Sequence, residues 1–437
     1  MSELKIHPTS TGTDLPLFNH WEVPPTQRDV ERTLVTEHRP IATLSSSSNI
    51  EFHFRSGYNE HVLLNKTNLY VKLNITLKAK TGKTITNADW KDVLPANYLL
   101  HSLFKNVEVL INGKETCSKP GTYAYRAFLD AKFGFTNDAK SSHLSSALWE
   151  PDAAKRIKYF TPKTSSSNQS KSNEVELMGR LHVDLAFQGK TLLGGSDVRV
   201  VLTPHDPSFY FQIKSTNENV AGVDVSFKDA SLYATTAILH QSFLDHHTDG
   251  LHKSPAKYFM TAAEVRHDTI PVGSLDKSFD NVCNGRLPRL VIVQLVESEA
   301  QNGSFSQDPY YFNHFDLKSI CAYVNGHQVP LNAYQMDFDK GQYLRAFMSL
   351  PQSVNQDGMD SILSVNRSNY ITGNVHIGLN LSQDGSTGIT SSVNPLRFGN
   401  LRIVMRFNKD TPKTLSALFY CSYDHCIEIN ETRSLVV

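Results

Sequence analysis

Cysteine is scarce in this sequence and shows no paired motif. The 437 residues contain five cysteines, and no two of them form a Cys-x-x-Cys pattern. They are Cys117, Cys283, Cys321, Cys421 and Cys426. Because disulfide-stabilised domains carry cysteines in even sets, this odd number argues against a disulfide framework and predicts reduced thiols. We therefore expect the chain to fold in a host cytoplasm or nucleus and not to be secreted.

Long apolar runs and an excess of one charge are also missing. No stretch approaches the roughly 18 apolar residues that a membrane-spanning helix needs, and the N-terminus lacks the apolar core of a secretory signal. Lys plus Arg and Asp plus Glu both number 43, so the formal net charge is zero. A neutral chain does not predict a basic surface, and we expect no sequence-specific nucleic-acid partner.

Motifs that mark catalytic and cofactor sites are absent from the sequence. It contains no Gly-x-Gly-x-x-Gly after a strand, no Gly-x-x-x-x-Gly-Lys-Ser/Thr, no His-Glu-x-x-His and no Gly-x-Ser-x-Gly. Paired carboxylates of a glycoside hydrolase would come from different strands, so their spacing cannot identify them. We expect no catalytic residue and no cofactor, although a β-sandwich hydrolase stays open as an alternative.

Two groups of metal-ligating side chains occur close together in the sequence. The first is Cys421, His425 and Cys426, and the second is the histidine group of the segment 240–257. Zinc usually takes four ligands, and on a strand Cys426 would point away from the other two side chains. We expect Cys421 to be a buried core residue, the histidines His246, His247 and His252 to be exposed, and neither group to bind a metal.

A short β-rich run that ends in Asn-Gly occurs twice. Residues 107–115 read Val-Glu-Val-Leu-Ile-Asn-Gly-Lys-Glu, and residues 320–328 read Ile-Cys-Ala-Tyr-Val-Asn-Gly-His-Gln. Asn and Gly tolerate the positive φ angles of a type I′ turn, so Asn112-Gly113 and Asn325-Gly326 predict two hairpin tips.

Three further segments are echoed in the same order. They centre on Arg126 and Arg345, on His182 and His376, and on Arg199 and Arg402. Including the Asn-Gly turns, the offsets between paired residues are 213, 219, 194 and 203 positions, in chain order. Preserved order with a small drift in spacing predicts that one β-domain is used twice.

Short alternating runs dominate between these landmarks. Residues 69–77 place five apolar side chains on one face, whereas residues 290–296 form a continuous apolar run that predicts a strand covered on both faces. Many short strands in two halves of about 190 residues favour an all-β chain of two tandem antiparallel jelly-roll sandwiches, with a few short helices. Strands are expected at 175–188, 197–203 and about 222–239 in the first half.

Composition places the domain boundaries. Residues 1–48 are rich in proline and serine and predict an extended N-terminal arm, either frayed or docked on its own or a neighbouring subunit. The first jelly roll is then expected at 49–240 and the second at 258–437. The segment 241–257 contains signals that interrupt strand and helix, so we expect a linker there. The polar segment 161–173 predicts an exposed loop.

A helix is expected from Tyr123 to about Phe135, because apolar residues recur there at helical spacing. Arg126, and Arg345 in the second half, could bind an anionic partner. The favoured interpretation is that the neighbouring phenylalanines pack beneath the sandwich while each arginine stays in water.

Four stretches resemble a known family. Residues 100–113 (Leu-His-Ser-Leu-Phe-Lys-Asn-Val-Glu-Val-Leu-Ile-Asn-Gly), 121–129 (Gly-Thr-Tyr-Ala-Tyr-Arg-Ala-Phe-Leu), 139–149 (Ala-Lys-Ser-Ser-His-Leu-Ser-Ser-Ala-Leu-Trp) and 316–326 (Asp-Leu-Lys-Ser-Ile-Cys-Ala-Tyr-Val-Asn-Gly) look like capsid proteins of Maverick/Polinton elements and adintovirus-like viruses. Those are double jelly-roll major capsid proteins, akin to the hexon-like coat proteins of adenoviruses and other tailless double-stranded DNA viruses.

The resemblance implies a structural protein of the virion. It implies a homotrimer with a pseudo-sixfold outline that tiles an icosahedral shell and contacts neighbouring capsomers, penton and other minor capsid proteins. It brings no catalytic residue with it. A β-sandwich carbohydrate-binding or attachment protein is the alternative, which glycan binding in solution would distinguish.

Overall fold

A computed structural model describes most of the chain. The described residues are 9, 16–18, 20–21, 23–45, 47–117, 121–160, 172–358, 361–385 and 394–436. The polar segment predicted as a loop at 161–173 lies outside them except for Ser172 and Asn173, which begin a strand.

Strands are the most abundant secondary structure among the described residues. In the first half they are β1 (Val30–His38), β2 (Ile50–Arg55), β3 (Glu60–Ala79), β4 (Val93–Pro95), β5 (Phe104–Ile111), β6 (Lys114–Cys117), β7 (Ser172–Arg180), β8 (Asp197–Pro204), β9 (Phe211–Ile213) and β10 (Val220–Leu239). In the second half they are β11 (Ala256–Ile270), β12 (Asp276–Arg286), β13 (Leu290–Glu297), β14 (Leu317–Val324), β15 (His327–Gln335), β16 (Ile377–Asn380), β17 (Phe398–Phe407), β18 (Leu415–Ile429) and β19 (Leu435–Val436).

Short helices fill the connections. The α-helices are α1 (Leu99–Ser102), α2 (Tyr123–Gly134), α3 (Asn137–Ser141), α4 (Ala153–Phe160), α5 (Pro207–Tyr210), α6 (Gln241–Lys253), α7 (Ser298–Asn302), α8 (Leu344–Ser353) and α9 (Arg367–Tyr370). Four 3₁₀ turns lie at Pro16–Phe18, Asp89–Asp92, His143–Ala147 and Asp184–Phe187. Among the described residues, no helix is long and apolar enough to cross a membrane.

Both halves have the same strand order. The first half pairs its strands as β1-β10-β3-β7 and β2-β8-β5-β6, and the second half pairs its strands as β11-β18-β13-β16 and β12-β17-β14-β15. If the eight sheet strands of each half are counted in chain order, both sandwiches read 1-8-3-6 and 2-7-4-5. The pairings in these sheets are antiparallel. This is the jelly-roll order, so the predicted fold class of two tandem jelly rolls is confirmed.

Alternation places the core as expected. On β3 the side chains of Leu69, Val71, Leu73 and Ile75 are fully buried, and polar residues lie between them. Each such side chain contributes on the order of 1.5–3 kcal/mol by leaving water. This long strand is therefore the centre of the first sandwich.

The apolar run on β13 is covered on both faces because the second sandwich packs against the first. On one face of β13, three apolar side chains belong to the core shared with the first jelly roll: Leu290, Ile292 and Val296. The side chains between them belong to the core of the second jelly roll: Val291, Val293 and Leu295. The interface between the two halves is thus an extension of the hydrophobic core.

In three places the secondary structure differs from the one that the sequence patterns predicted. Residues 30–38 were expected in an arm, but they form β1, which pairs with residues 232–239 of β10. Their mixed polar sequence hides the strand because both of its faces are exposed. The expected linker contains α6, a helix without a buried residue, whose first turn is supported by a 2.8 Å hydrogen bond from Gln241 to Asp245. The strand expected at 175–188 ends at Arg180.

Candidate functional site

The two Asn-Gly turns join corresponding strands of the two jelly rolls. Asn112-Gly113 connects β5 to β6, and Asn325-Gly326 connects β14 to β15. Their φ angles are 51° and 77° in the first turn and 49° and 87° in the second, which is the positive pair of a type I′ turn.

Each turn is also tied to the seventh strand of its own half by the same two hydrogen bonds. Asn112 donates its backbone N–H to Asp197 O (2.9 Å) and accepts from Asp197 N through Oδ1 (2.7 Å). Asn325 makes the matching bonds with Asn400, at 3.1 Å and 2.9 Å. The asparagine therefore has the same local role in both halves.

Two of the three other repeated segments lie at equivalent positions in the two jelly rolls. Arg199 lies opposite Leu110, and Arg402 lies opposite Tyr323, each two positions before the asparagine of the turn. The arginines of the Arg-Ala-Phe segments lie in α2 and α8, which both connect the fifth and sixth strands.

The third pair of repeated segments, around His182 and His376, does not lie at equivalent positions in the two jelly rolls. His182 follows the end of β7, whereas His376 precedes the start of β16. The offset of this pair, 194 residues, is the smallest of the four.

Helix α2, at the position predicted from its spacing, is the main element between the two jelly rolls. Phe128 stacks on Tyr310 of the second half with ring centroids 4.1 Å apart, and Phe133 meets His376 edge-on at 5.2 Å. Tyr310 also shares a 2.7 Å hydrogen bond with Ser102 of α1. Aromatic pairs of this geometry add about 0.5–1.5 kcal/mol beyond their buried area.

A buried polar cluster accompanies these rings. Arg126 of α2 pairs with Asp184 and, at 3.4 Å, with Asp130. Asp130 also lies 3.3 Å from His182 Nδ1 and accepts a 2.7 Å hydrogen bond from Tyr420 of β18. Because charges without partners are expensive to bury, the hydrogen bond from Tyr420 ties this network of the first half to the second jelly roll.

The cluster corrects the expectation for the first arginine. Arg126 is only 7% exposed, so it does not stay in water. Arg345 does lie on the surface, where it donates to the carbonyl oxygens of Asn332 and Ala333. The spacing of Arg126 and Asp130 on one helix face was visible in the sequence, but Asp184 is brought in by the fold.

Burial shifts the ionisation of the two carboxyl groups in opposite directions. Burial raises the pKa of Asp184, and the charge of Arg126 only partly opposes this shift. Burial also acts to raise the pKa of Asp130, but the hydrogen bond with His182 and the charge of Arg126 outweigh it and lower that pKa.

Two buried lysines connect α2 and α3 to the second half. Lys132 donates to Asn374 Oδ1 at 2.5 Å, and Lys140 donates to Ile362 O at 3.1 Å. Burial, followed by the charge of Lys140, lowers the pKa of Lys132 to about 7. Burial lowers the pKa of Lys140 to about 8.

A cavity of about 260 Å³ lies beside this interface and is lined by two carboxylates. Asp184 is held by Arg126 and by the backbone N–H of Ala263 (3.2 Å). Glu264 is held by Arg266 (2.6 Å) and by the hydroxyl of Tyr423 (2.7 Å). Each carboxylate is therefore fixed in an ion pair, which suits a structural role better than that of a general acid or nucleophile.

The first candidate metal group does not converge on one point. Cys421 is buried in the second core, as expected, with Sγ 3.6 Å from Sγ of Cys283. His425 Nδ1 lies 3.2 Å from Nη1 of Arg286, and Cys426 is only partly buried.

The histidines of α6 are also separated. His252 Nδ1 lies 2.5 Å from Glu431 Oε2, whereas His247 packs on the ring of Phe243 with centroids 4.7 Å apart. Over the described ranges, no group of three or more His, Cys, Asp or Glu side chains is arranged to hold a metal ion.

Comparison of the sequence with known proteins gives one relative of similar length. No protein-family model matches the sequence. A Caenorhabditis elegans protein described as uncharacterized is 23% identical over 412 residues, which cover 89% of this chain and 92% of that protein.

Solved structures of viral capsids share the architecture. A chain in the cryo-EM structure of the Sputnik virophage has a TM-score of 0.67 at 12% identity, and covers 100% of this chain and 94% of its own. The Faustovirus major capsid protein has a TM-score of 0.59 at 8% identity, with 96% and 93% covered. The mavirus major capsid protein has a TM-score of 0.55 at 9% identity, with 99% and 96% covered. The chain has the double jelly-roll fold of viral major capsid proteins.

Proposed function

We propose that this chain is a major capsid protein whose three copies form a pseudo-hexameric capsomer. The shell would be that of an icosahedral double-stranded DNA virus or virus-like element of the Maverick/Polinton and adintovirus kind. The observation that carries the proposal is the use of one strand order, 1-8-3-6 with 2-7-4-5, in both halves of a single chain. The likeness to viral capsid proteins over nearly the whole chain supports it.

The duplicated topology has a geometric consequence. Each half presents a similar wedge, so a first half can meet a second half both within a chain and across a subunit boundary. Three chains then supply six wedges, and a closed threefold ring results. The interface around α2 supports this arrangement because a shared hydrophobic core joins the two wedges of one chain.

The chemistry of the interface favours a structural role. Its carboxylates and arginines are paired with each other within each half, and an aromatic stack and a tyrosine–aspartate hydrogen bond connect the two halves. Under this proposal the protein is located in the virion, and its partners are neighbouring capsomers together with penton and other minor capsid proteins.

The N-terminal segment supplies apolar side chains for such contacts. The side chains of Leu17, Phe18, Trp21 and Val23 are exposed by 67% to 85%. Permanent interfaces bury more than about 2,000 Å² and are largely apolar, so these residues are suited to docking on a neighbouring copy. Removing residues 1–29 leaves β1 intact and should weaken assembly without unfolding either sandwich.

Light scattering and negative-stain microscopy of the purified full-length chain test the proposal. We expect three times the 49.0 kDa chain mass and a six-lobed ring. A stable monomer at micromolar concentration would contradict the capsomer and favour the carbohydrate-binding alternative, which an array of soluble glycans would then examine.

A further inference from the structure

The helices that follow the two Asn-Gly hairpins have different surroundings. The Arg-Ala-Phe segments of α2 and α8 lie 219 residues apart. At the same spacing, Tyr125 of α2 corresponds to Leu344 of α8, and Leu129 corresponds to Met348. In α2 these positions are 2% and 0% exposed. In α8 the corresponding side chains are 45% and 39% exposed. The second helix thus presents to solvent an apolar face that the first helix buries.

The cover of α2 comes in part from the other half of the chain. The ring of Tyr125 lies 5.7 Å from that of Tyr310 and 6.5 Å from that of Phe312, centroid to centroid. Helix α8 already uses its opposite face within its own half, where Ser349 Oγ accepts a 3.0 Å hydrogen bond from Gly378 N. The face of α8 that carries Leu344 and Met348 therefore remains exposed in the folded second jelly roll.

The first strands of the two halves, β1 and β11, also differ in burial, but here the exposed element belongs to the first half. In the second half, the middle of β11 is buried at Ala263, Glu264 and Val265, and Asp184 of the first half accepts from the N–H of Ala263. In the first half, β1 has no such cover in the described part of the chain. Its residues 31–37 are all exposed, including Val35 at 67%.

An edge strand with exposed backbone and apolar side chains is a surface that proteins ordinarily cover. Here the two uncovered surfaces are α8 of the second half and β1 of the first half. Their counterparts in the other half, α2 and β11, are in contact with each other within the chain. The within-chain boundary joins the helix of the first half to the first strand of the second half. The equivalent boundary between two copies would join α8, the helix of the second half, to β1, the first strand of the first half.

We propose that α8 of one copy docks against β1 of the next copy, as α2 docks against β11 within each chain. The partner is a second copy of this chain, and the contact repeats three times around the ring. This inference rests on the proposed trimer and specifies the surface that closes it. It makes Leu344 and Met348 on one side, and Val35 on the other, the apolar centre of the subunit boundary.

Charge substitutions test the surface. One variant carries Leu344→Asp with Met348→Asp, and a second carries Val35→Asp. The matched control is Val272→Asp, which changes a valine that is 62% exposed in the turn between β11 and β12. By light scattering at micromolar concentration, wild type and control should have three times the 49.0 kDa chain mass, and both surface variants should fall to a single chain. An unchanged circular dichroism spectrum and a cooperative thermal transition would verify that each variant is folded.

The outcomes separate the two proposals. A wild-type protein that is a folded monomer would overturn the trimer itself. A trimeric wild type whose two surface variants also stay trimeric would leave the trimer standing and overturn the α8–β1 contact.

Cross-linking provides a second measurement that does not depend on weakening the fold. A chain with Val35→Cys and Met348→Cys is treated with a copper-phenanthroline oxidant, which takes the two thiol hydrogens as each disulfide forms between copies. Covalent trimers should appear on a non-reducing gel. A chain with Val272→Cys and Met348→Cys is the control for reaction of the native cysteines. Equal cross-linking in both chains would count against the contact.

Discussion

Tyr420 of β18 donates a hydrogen bond to Asp130 of α2, with 2.7 Å between the hydroxyl oxygen and Oδ1. The two residues are 290 positions apart and belong to different jelly rolls. Tyr420→Phe removes this donor and leaves a buried carboxylate with fewer partners. We expect the free energy of unfolding in denaturant to fall by about 1–3 kcal/mol. Tyr159→Phe, at a side chain that is 57% exposed, should leave it unchanged and serves as the control.

The two arginines of the repeated segment form a matched pair for a second prediction. Arg126→Ala leaves Asp130 and Asp184 buried without their cation, and we expect a loss of about 3–5 kcal/mol of unfolding free energy. Arg345→Ala removes a surface side chain and should change it by less than about 1 kcal/mol. Guanidinium unfolding of both variants measures the difference. Equal losses would show that the buried ion pairs of Arg126 contribute no more to stability than a surface arginine does.

Close packing of α8 on β16 gives a third prediction. A Cβ on Gly378 would lie 2.6 Å from the backbone oxygen of Ser349, so Gly378→Ala must push the helix away from the strand. We expect a loss of about 1–3 kcal/mol, measured by thermal or denaturant unfolding. Gly189→Ala is the control, because a Cβ there meets nothing within 4 Å. A wild-type melting temperature for the Gly378 variant would contradict this packing.

A fully buried histidine predicts how stability depends on pH. Burial and the charge of Lys132 lower the pKa of His376 well below the usual 6.5. Between pH 6.5 and that lowered pKa, the unfolded chain binds a proton that the folded chain does not. The free energy of unfolding should therefore fall with decreasing pH, by up to about 1.4 kcal/mol per pH unit from this residue.

Replacing His376 should make the free energy of unfolding depend less on pH in the acidic range. Neither ring nitrogen of His376 has a hydrogen-bond partner in the described structure, so His376→Leu breaks no hydrogen bond at pH 7.5. Urea unfolding at several pH values between 7.5 and 5 should give a smaller slope for this variant. His327→Leu, on an exposed hairpin, should retain the wild-type slope. Identical slopes in all three proteins would refute the assignment.

Local sequence patterns determined the elements and the duplication. Alternation identified β3, a continuous apolar run identified β13, and helical spacing identified α2, because these elements bury a regular set of side chains. Asn-Gly set the hairpin tips because few other residues accept two successive positive φ angles. Expectations failed where a strand or helix buries almost nothing, as in β1 and α6, because no apolar period marks such elements.

The relation between the two halves was decided only by the tertiary structure. The spacing of Arg126 and Asp130 predicts a common helix face, but nothing local indicates that Tyr420 and Asp184 meet them there. Contacts between residues so far apart depend on how two complete sandwiches pack, and that is set by the summed fit of their surfaces. For the same reason the sequence revealed that α2 and α8 are related, while only the fold showed that one of them is covered and the other is not.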